Sequence, residues 1–327
     1  MQYRILGKTG LKISAISLGT WQVGGGWGGE FDQKAAERII STAIENGVNF
    51  LDTADVYDGQ QSERAVAGFV KENRDKLIIA TKIGRRLNPH VADAYTPEAM
   101  EAFVDEALKN TGLQYLDLVQ LHCPPTPVYQ FDDVFARLEK IKASGRVRHF
   151  GVSVEKVKEA RMAADYDVVE SVQIIFNMFR QKPAEDCFKL LSERNIGIIA
   201  RVPLASGLLS GKMSADREFD KKDHRAFNRN GEVFDKGETF SGVPLDQGLQ
   251  AVSKLKSVFG QEALYQYALK WILQFPEVST VIPGASRPEQ VISNLKVGDL
   301  PALDDEQMTA VKDIYDEYIR AEVHHLW

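Results

Sequence analysis

The sequence predicts an α/β fold: a (β/α)8 barrel, the TIM barrel architecture, with an N-terminal β-hairpin and extra helices at the C-terminus. Two observations predict it. Short apolar stretches of the kind that fills a parallel sheet recur near residues 14, 49, 77, 116, 149, 171, 197 and 279, with helical patterns between them. No composition break and no Pro/Gly/Ser-rich linker divides the 327 residues, so one domain over residues 1–327 is expected. An open doubly wound sheet is the second choice.

The elements follow in order. YRILGKTGLKISAISLG holds two apolar runs around a Gly-rich turn, which predicts a hairpin leading into a buried strand over Ser14 to Leu18. In DQKAAERIISTAIENGV, Asp32 can cap a helix, Ala36, Ile39, Ile40, Ala43 and Ile44 share one face, and Gly47 suits its end. VNFLDTA is a strand, SERAVAGFVKEN a helix and KLIIATKIG a strand. Thr96 as cap and Pro97 at the first position start the next helix, before the strand LDLVQLH. The alternation continues through helix DVFARLEKIKASG, strand HFGVS, a helix from Lys156 to Ala164, strand SVQIIF, helix AEDCFKLLSERN and strand IGIIARVP. The polar segment 214–245 is too long for a routine connection and reads either as a functional loop over one barrel face or as a surface excursion. Strand STVIPG, helix PEQVISNL and a last helical stretch complete the chain; His324, His325 and Trp327 at its end read either as a solvated tail, the preferred reading, or as residues that reach the active site.

Composition narrows the function classes. A formal net charge of −6 gives no basic surface for nucleic acid or an anionic membrane, so neither is expected as a partner. No stretch reaches the ~18 apolar residues of a membrane span, and MQYRILGKTG lacks the apolar core of a signal peptide, so a cytoplasmic location is expected. The two cysteines, Cys123 and Cys187, read as free thiols without metal or disulfide spacing.

Barrel enzymes carry their chemistry at the C-terminal ends of the strands. Four ionisable groups stand there on three successive units: Asp52 with Tyr57, Lys82, and His122. A lysine ending an apolar strand is costly to bury unpaired, and Asp52 is its natural partner. Lys82 beside Tyr57 favours the phenolate and makes the phenol a usable proton donor, while His122 can orient a carbonyl oxygen. Such a set can protonate an alkoxide as it forms, and needs no metal. The bland alternative is a barrel-mouth ion pair, a packed tyrosine and a core histidine. Asp55 and Asp58 read as loop residues.

These residues resemble the aldo-keto reductase family over nearly the whole chain, through LDTADVYDGQQSE, IIATKIG, LKNTGLQYLDLVQLHCP, GRVRHFGVS, PLASGLLSGK and VIPGASRPEQVISN in the family's order. PLASGLLSGK and IPGASRPEQ are most similar to the bacterial branch related to the potassium-channel β subunits. The resemblance implies NADPH-dependent reduction of an aldehyde or ketone, sugar-like carbonyls included, to an alcohol. Asp52, Tyr57, Lys82 and His122 match the family tetrad, with Tyr57 as proton donor. It further implies that Gly19, Thr20 and Trp21 lie near the nicotinamide together with Asp52, and that Ser153 and Gln173 hold its carboxamide. Leu204, Ser206, Gly207 and Lys212 would clasp the pyrophosphate, and Gly284, Ser286, Arg287, Gln290 and Asn294 the adenosine and its 2′-phosphate. Arg287 suits that phosphate through a forked, charge-assisted geometry, which favours NADPH over NADH (NADP⁺ over NAD⁺). Trp21, Trp27, Tyr57 and His122 would line the pocket of a small carbonyl substrate, with GGGWGG at 24–29 as a flexible rim. A regulatory, NADPH-sensing subunit with little turnover is the alternative; the sequence leaves the oligomeric state open, a monomer slightly favoured.

Two positions depart from the family pattern. Val154 follows Ser153 where many relatives have asparagine, which removes one carboxamide contact. Arg201 stands where many have an aromatic residue against the nicotinamide, and its charge would disfavour NADP⁺ relative to NADPH.

Overall fold

The structure is a computed structural model, and it describes residues 1–25, 30–260 and 263–327. The alternation of inward and outward side chains along each strand builds it. Phe50, Ala80, Leu118 and Ile199 face the barrel interior, whereas Leu51, Ile79, Val119 and Ile198 face the helical layer. The eight barrel strands are β3 (Leu18–Gly19), β4 (Phe50–Asp52), β5 (Ile78–Ile83), β6 (Leu116–His122), β7 (Val147–Val154), β8 (Val169–Ile175), β9 (Gly197–Arg201) and β10 (Val278–Val281). Each pairs in parallel with the next. Parallel bridges Ile16↔Val281 and Gly19↔Gly284 bring the first strand against the last and close the ring.

The antiparallel hairpin of β1 (Tyr3–Ile5) and β2 (Lys12–Ser14) sits under the barrel, where Leu6 and Ile13 join Phe50, Ala80, Leu118, Ile199 and Ile282 in one apolar cluster. This plug fills the N-terminal end of the ring, leaving the chemistry to the C-terminal end. The first barrel strand lies a few residues later than expected, because Lys12–Ser14 is taken up by the hairpin. The other seven strands fall where the apolar stretches place them.

Helices α1 (Gln33–Glu45), α2 (Gln61–Glu72), α3 (Pro97–Thr111), α4 (Asp132–Ala143) and α5 (Val157–Ala163) cover the outside. Asp32 and Thr96 accept from Ala35 N and Ala99 N, the capping bonds their residue types suggest. The stretch read as one helix over AEDCFKLLSERN divides into α6 (Lys182–Asp186) and α7 (Phe188–Glu193), since Cys187 between them has φ −131° and ψ −18°, outside helical values. The polar segment 214–245 carries only the short α8 (His224–Phe227) and single turns, and it leads into α9 (Leu245–Phe259) and α10 (Leu264–Leu273). After α11 (Pro288–Leu295), α12 (Asp305–Tyr318) and α13 (Arg320–Val323) run to the C-terminus.

The tail corrects the expectation of a solvated end. Trp327 is buried, donates from Nε1 to Asp235 Oδ1 at 2.9 Å, and its ring lies 3.6 Å from the Arg180 guanidinium. It fastens the second half of the polar segment, where a side chain on Gly242 would collide with the indole and one on Gly237 with Arg180 Nη1. Among the described residues no helix is long and apolar enough to cross a membrane.

Candidate active site

Strand register assembles the site. Asp52 pairs with Ala80, and Lys82 lies two residues beyond it on the same inward face, level with Gln120. Lys82 and Asp52 are 1 % and 2 % exposed, with Nζ 2.5 Å from Oδ1. Lys82 Nζ also donates to Thr53 O at 2.9 Å, while Asp52 Oδ2 accepts from Gln173 Nε2 at 2.8 Å and Gln120 Nε2 at 3.2 Å. Every strong polar atom of this pair is therefore engaged, which is the condition for a buried ion pair to be tolerated.

Tyr57 arrives from the turn after β4. Thr53 N bonds Ala80 O and Asp55 N bonds Lys82 O, so the turn stays tied to β5 before the chain passes through left-handed Asp58, Gly59 and Gln60 at φ 48°, 58° and 70°. The phenol then lies over the lysine, with Oη 3.4 Å from Nζ. Burial raises the Tyr57 pKa, and Lys82 opposes that rise without reversing it. The expectation that Lys82 brings the phenol below its ordinary value is thus not met in this state; the phenol is a protonated donor, with the lysine placed to stabilise its anion.

His122 ends β6 with its ring 6.1 Å from that of Tyr57, edge to face. Burial, followed by the nearby Arg85 and Lys82, holds its pKa well below the ordinary histidine value, so the imidazole is neutral. Its Nε2 lies 3.4 Å from Arg85 Nη1, and its buried Nδ1 has no hydrogen-bond partner among the described residues.

Above these groups opens a cleft of about 1100 Å³. Its lining includes Gly19, Thr20, Trp21, Asp52, Tyr57, His122, Gln173, Arg201, Leu204, Ser206, Gly207, Lys212, Gly284, Ser286, Arg287, Gln290 and Asn294, which brings together nearly every residue singled out in the sequence. Ser153 is buried and does not line the cleft; its Oγ lies 3.6 Å from Cys123 Sγ. Gln173 directs its amide nitrogen to Asp52 and Gln120 rather than into the cleft. Lys82 lies beneath the lining, and Trp27 falls outside the described residues. Asp58, read as a plain loop residue, does border the cleft, whereas Asp55 is buried against Arg86 at 3.1 Å.

The residues fit a dinucleotide. Ser206 and Gly207 turn left-handed at φ 53° and 97°, and a side chain added at Gly207 would meet only Arg225 Nη1 and Met213 Cε, at 3.6 Å. With Lys212, Arg217 and Arg287 bordering the same cleft, cationic donors suited to phosphate stand around the connections after β9 and β10.

Sequence reasoning missed a second cluster of charge. Arg85 Nη1 donates to Glu238 Oε1 at 2.9 Å, and Arg201 lies 2.9 Å from Glu155 and 3.8 Å from Glu238. Burial, with Glu238 against Arg201, pushes the Glu155 carboxyl up to about 7, whereas Arg85 and Arg201, against burial, hold Glu238 down. Arg201 therefore enters the cleft beside one ionised acid and, where Glu155 is deprotonated, a second, which weakens the ground for its disfavouring NADP⁺. Cys123 Sγ and the two carboxylates lie within 4.8 Å of one another, a spacing that would admit a cation, but the two guanidiniums already supply the positive charge. Only the unusual length of the 214–245 segment signalled that it would contribute, and nothing local marked Glu238.

The chain is similar to known proteins along most of its length. The chain is 28% identical over 324 residues to the uncharacterized oxidoreductase YqkF of Bacillus subtilis, covering 96% of this chain and 98% of the relative. It is 30% identical to a probable voltage-gated potassium channel subunit beta of Arabidopsis thaliana, over 92% of each. The glycerol dehydrogenase AKR11B4 from Gluconobacter oxydans superimposes with TM-score 0.77 at 26% identity, covering 97% of this chain and 96% of that one. The sequence profile described as the Aldo/keto reductase family matches residues 15–316, and the chain belongs to that family.

Proposed function

We propose that this protein reduces an aldehyde or ketone to the alcohol with NADPH, with Tyr57 as proton donor. The observation that carries the reading is the buried Asp52–Lys82 pair reaching Tyr57 Oη at 3.4 Å beneath the cleft. When bound, the reduced nicotinamide supplies the hydride. The chain's own residues do the rest: neutral His122 orients the carbonyl oxygen, Tyr57 gives its proton to that oxygen, and Lys82, held by Asp52, stabilises the phenolate left behind. Arg287 is assigned to the 2′-phosphate, the basis for preferring NADPH to NADH. The working picture is of a cytoplasmic monomer of one domain acting on a small molecule.

The test follows NADPH absorbance with a panel of aldehydes, ketones and sugars. Tyr57→Phe is expected to lower carbonyl turnover by about 10²–10⁴-fold with NADPH binding retained. Turnover equal to the parent would remove Tyr57 from the mechanism. A second reading, a nucleotide-sensing regulatory subunit, draws on the relative named as a channel subunit; tight NADPH binding with no carbonyl turned over would favour it.

A further inference from the structure

The chain that borders the cleft after β9 is held in costly backbone conformations. Val202, Ala205 and Ser206 have φ of 52°, 47° and 53°, and in the segment bonded to them Phe240 and Ser241 have 53° and 58°. Left-handed angles disfavour side chains other than glycine, most of all a β-branched residue such as Val202, and they persist only where neighbouring groups enforce them. Two polar side chains do so here. Ser206 Oγ donates to Glu238 O at 2.9 Å and accepts from Phe240 N at 3.1 Å. Asn177 Nδ2 donates to Val202 O at 2.9 Å and to Ser241 Oγ at 2.8 Å. The two strained segments therefore hold each other in place.

Trp327 fixes this pair of segments to the barrel. Its indole lies 3.6 Å from the Arg180 guanidinium, and Arg180 Nη2 donates to Glu155 O at 2.9 Å, just past the end of β7. The same indole donates to Asp235 Oδ1, which also accepts from Gly237 N at 2.7 Å, and it packs on Gly242, where an added Cβ would come within 2.3 Å of the ring. Trp327 does not itself border the cleft, whereas Ser206, Gly207 and Glu238 do. We propose that Trp327 is a positioning residue for the dinucleotide: by clamping residues 235–242 to the barrel it keeps the Ser206–Gly207 turn in the form that receives the pyrophosphate, and so sets coenzyme affinity without touching coenzyme. This rests on the coenzyme reading of the cleft given above. Without the indole, Asp235 and Gly242 lose their anchor, the left-handed residues on both sides of the Ser206 bonds relax, and the binding-competent turn is populated only part of the time. Apparent affinity falls by that fraction. The loss is confined to the pyrophosphate, because Arg287, Gln290 and Asn294, assigned to the adenosine, belong to α11 and its start.

The test measures, by calorimetry on the folded protein, the dissociation constants of NADPH and of adenosine 2′-monophosphate, which lacks the pyrophosphate. Trp327→Ala is expected to weaken NADPH by ~10-fold or more, as when the competent turn falls to about a tenth of the population, and to leave adenosine 2′-monophosphate within ~2-fold of the parent. Trp327→Phe, which keeps a ring for Arg180 but loses the bond to Asp235, should fall between parent and Trp327→Ala. A residue that only supported the fold would lower the urea midpoint while leaving both constants unchanged, or would weaken both ligands together. Either pattern overturns the proposal. Should Trp327→Ala fail to fold, Trp327→Phe decides: NADPH weakened at least ~2-fold with the monophosphate unchanged is the expected result, and an unchanged NADPH constant overturns it. If the parent binds neither ligand, the coenzyme reading itself fails and this proposal falls with it, an outcome distinct from a parent that binds NADPH and a variant that binds it equally well.

Discussion

Two buried clusters of charge meet at His122, and they are built differently. Asp52 and Lys82 both come from barrel strands, and their polar atoms are held by Thr53, Gln120 and Gln173. Arg85, Glu155, Arg201 and Glu238 come from three strand ends and one distant loop, and the cluster leaves Arg201 Nε and both Glu155 oxygens without a hydrogen bond among the described residues. The first has its polar atoms fixed in one geometry. The second includes a carboxyl, Glu155, that burial, with Glu238 against Arg201, pushes up to about 7, so its charge changes near neutral pH.

Removing a charge from the rigid cluster should have the largest effect. Lys82→Met leaves Asp52 with neutral amide donors only, and urea unfolding should show a loss of about 3 kcal/mol, the range for breaking a buried pair. Carbonyl turnover should fall by at least ~10³-fold, since the phenolate loses its stabilising cation. Turnover within ~10-fold of the parent would mean that the pair is structural alone.

The adaptable cluster should declare itself through pH. Burial, then Glu238 against Arg201, pushes the Glu155 carboxyl up to about 7 from an ordinary 4.5. Between those values the native protein keeps a proton that the unfolded chain has released, so Glu155 favours the fold at low pH and that contribution declines as pH rises through about 7. Glu155→Gln should flatten this decline by roughly 2 kcal/mol between pH 4.5 and 7.5. Asp55, pushed up to about 7 chiefly by burial, titrates in parent and variant alike, so the difference between their curves isolates Glu155. Superimposable curves would place the proton elsewhere.

The smallest effect belongs to Arg201. With Glu155 and Glu238 beside it, Arg201→Leu should change the ratio of NADP⁺ to NADPH dissociation constants by less than ~3-fold, under ~0.7 kcal/mol. A tenfold change would restore the uncompensated charge inferred from the sequence.

The contrast also explains what the sequence could reveal. Asp52, Lys82 and His122 were legible because each ends an apolar run, and the two-residue period of a strand puts them on one face. The Arg85–Glu238 bond spans 153 residues and joins a strand end to an irregular segment, where no period reports on direction. Cys187 interrupts a helix whose apolar pattern continues across it, so only backbone angles expose the break. Trp327 shows the same limit at the terminus: one aromatic residue in a polar tail gives no sign that Arg180 waits 3.6 Å away.

The split origin of the rim cluster constrains protein engineering. The 214–245 segment resembles an exchangeable module, yet it contributes Glu238 and is fastened by Trp327. A graft from a relative that lacked an acid at that place would leave Arg85 and Arg201 facing each other with only Glu155 between. Recombination here is therefore best planned on residues 85, 155, 180, 201, 238 and 327 as one inherited block, and libraries that shuffle the loop alone will sample mostly mismatched charge.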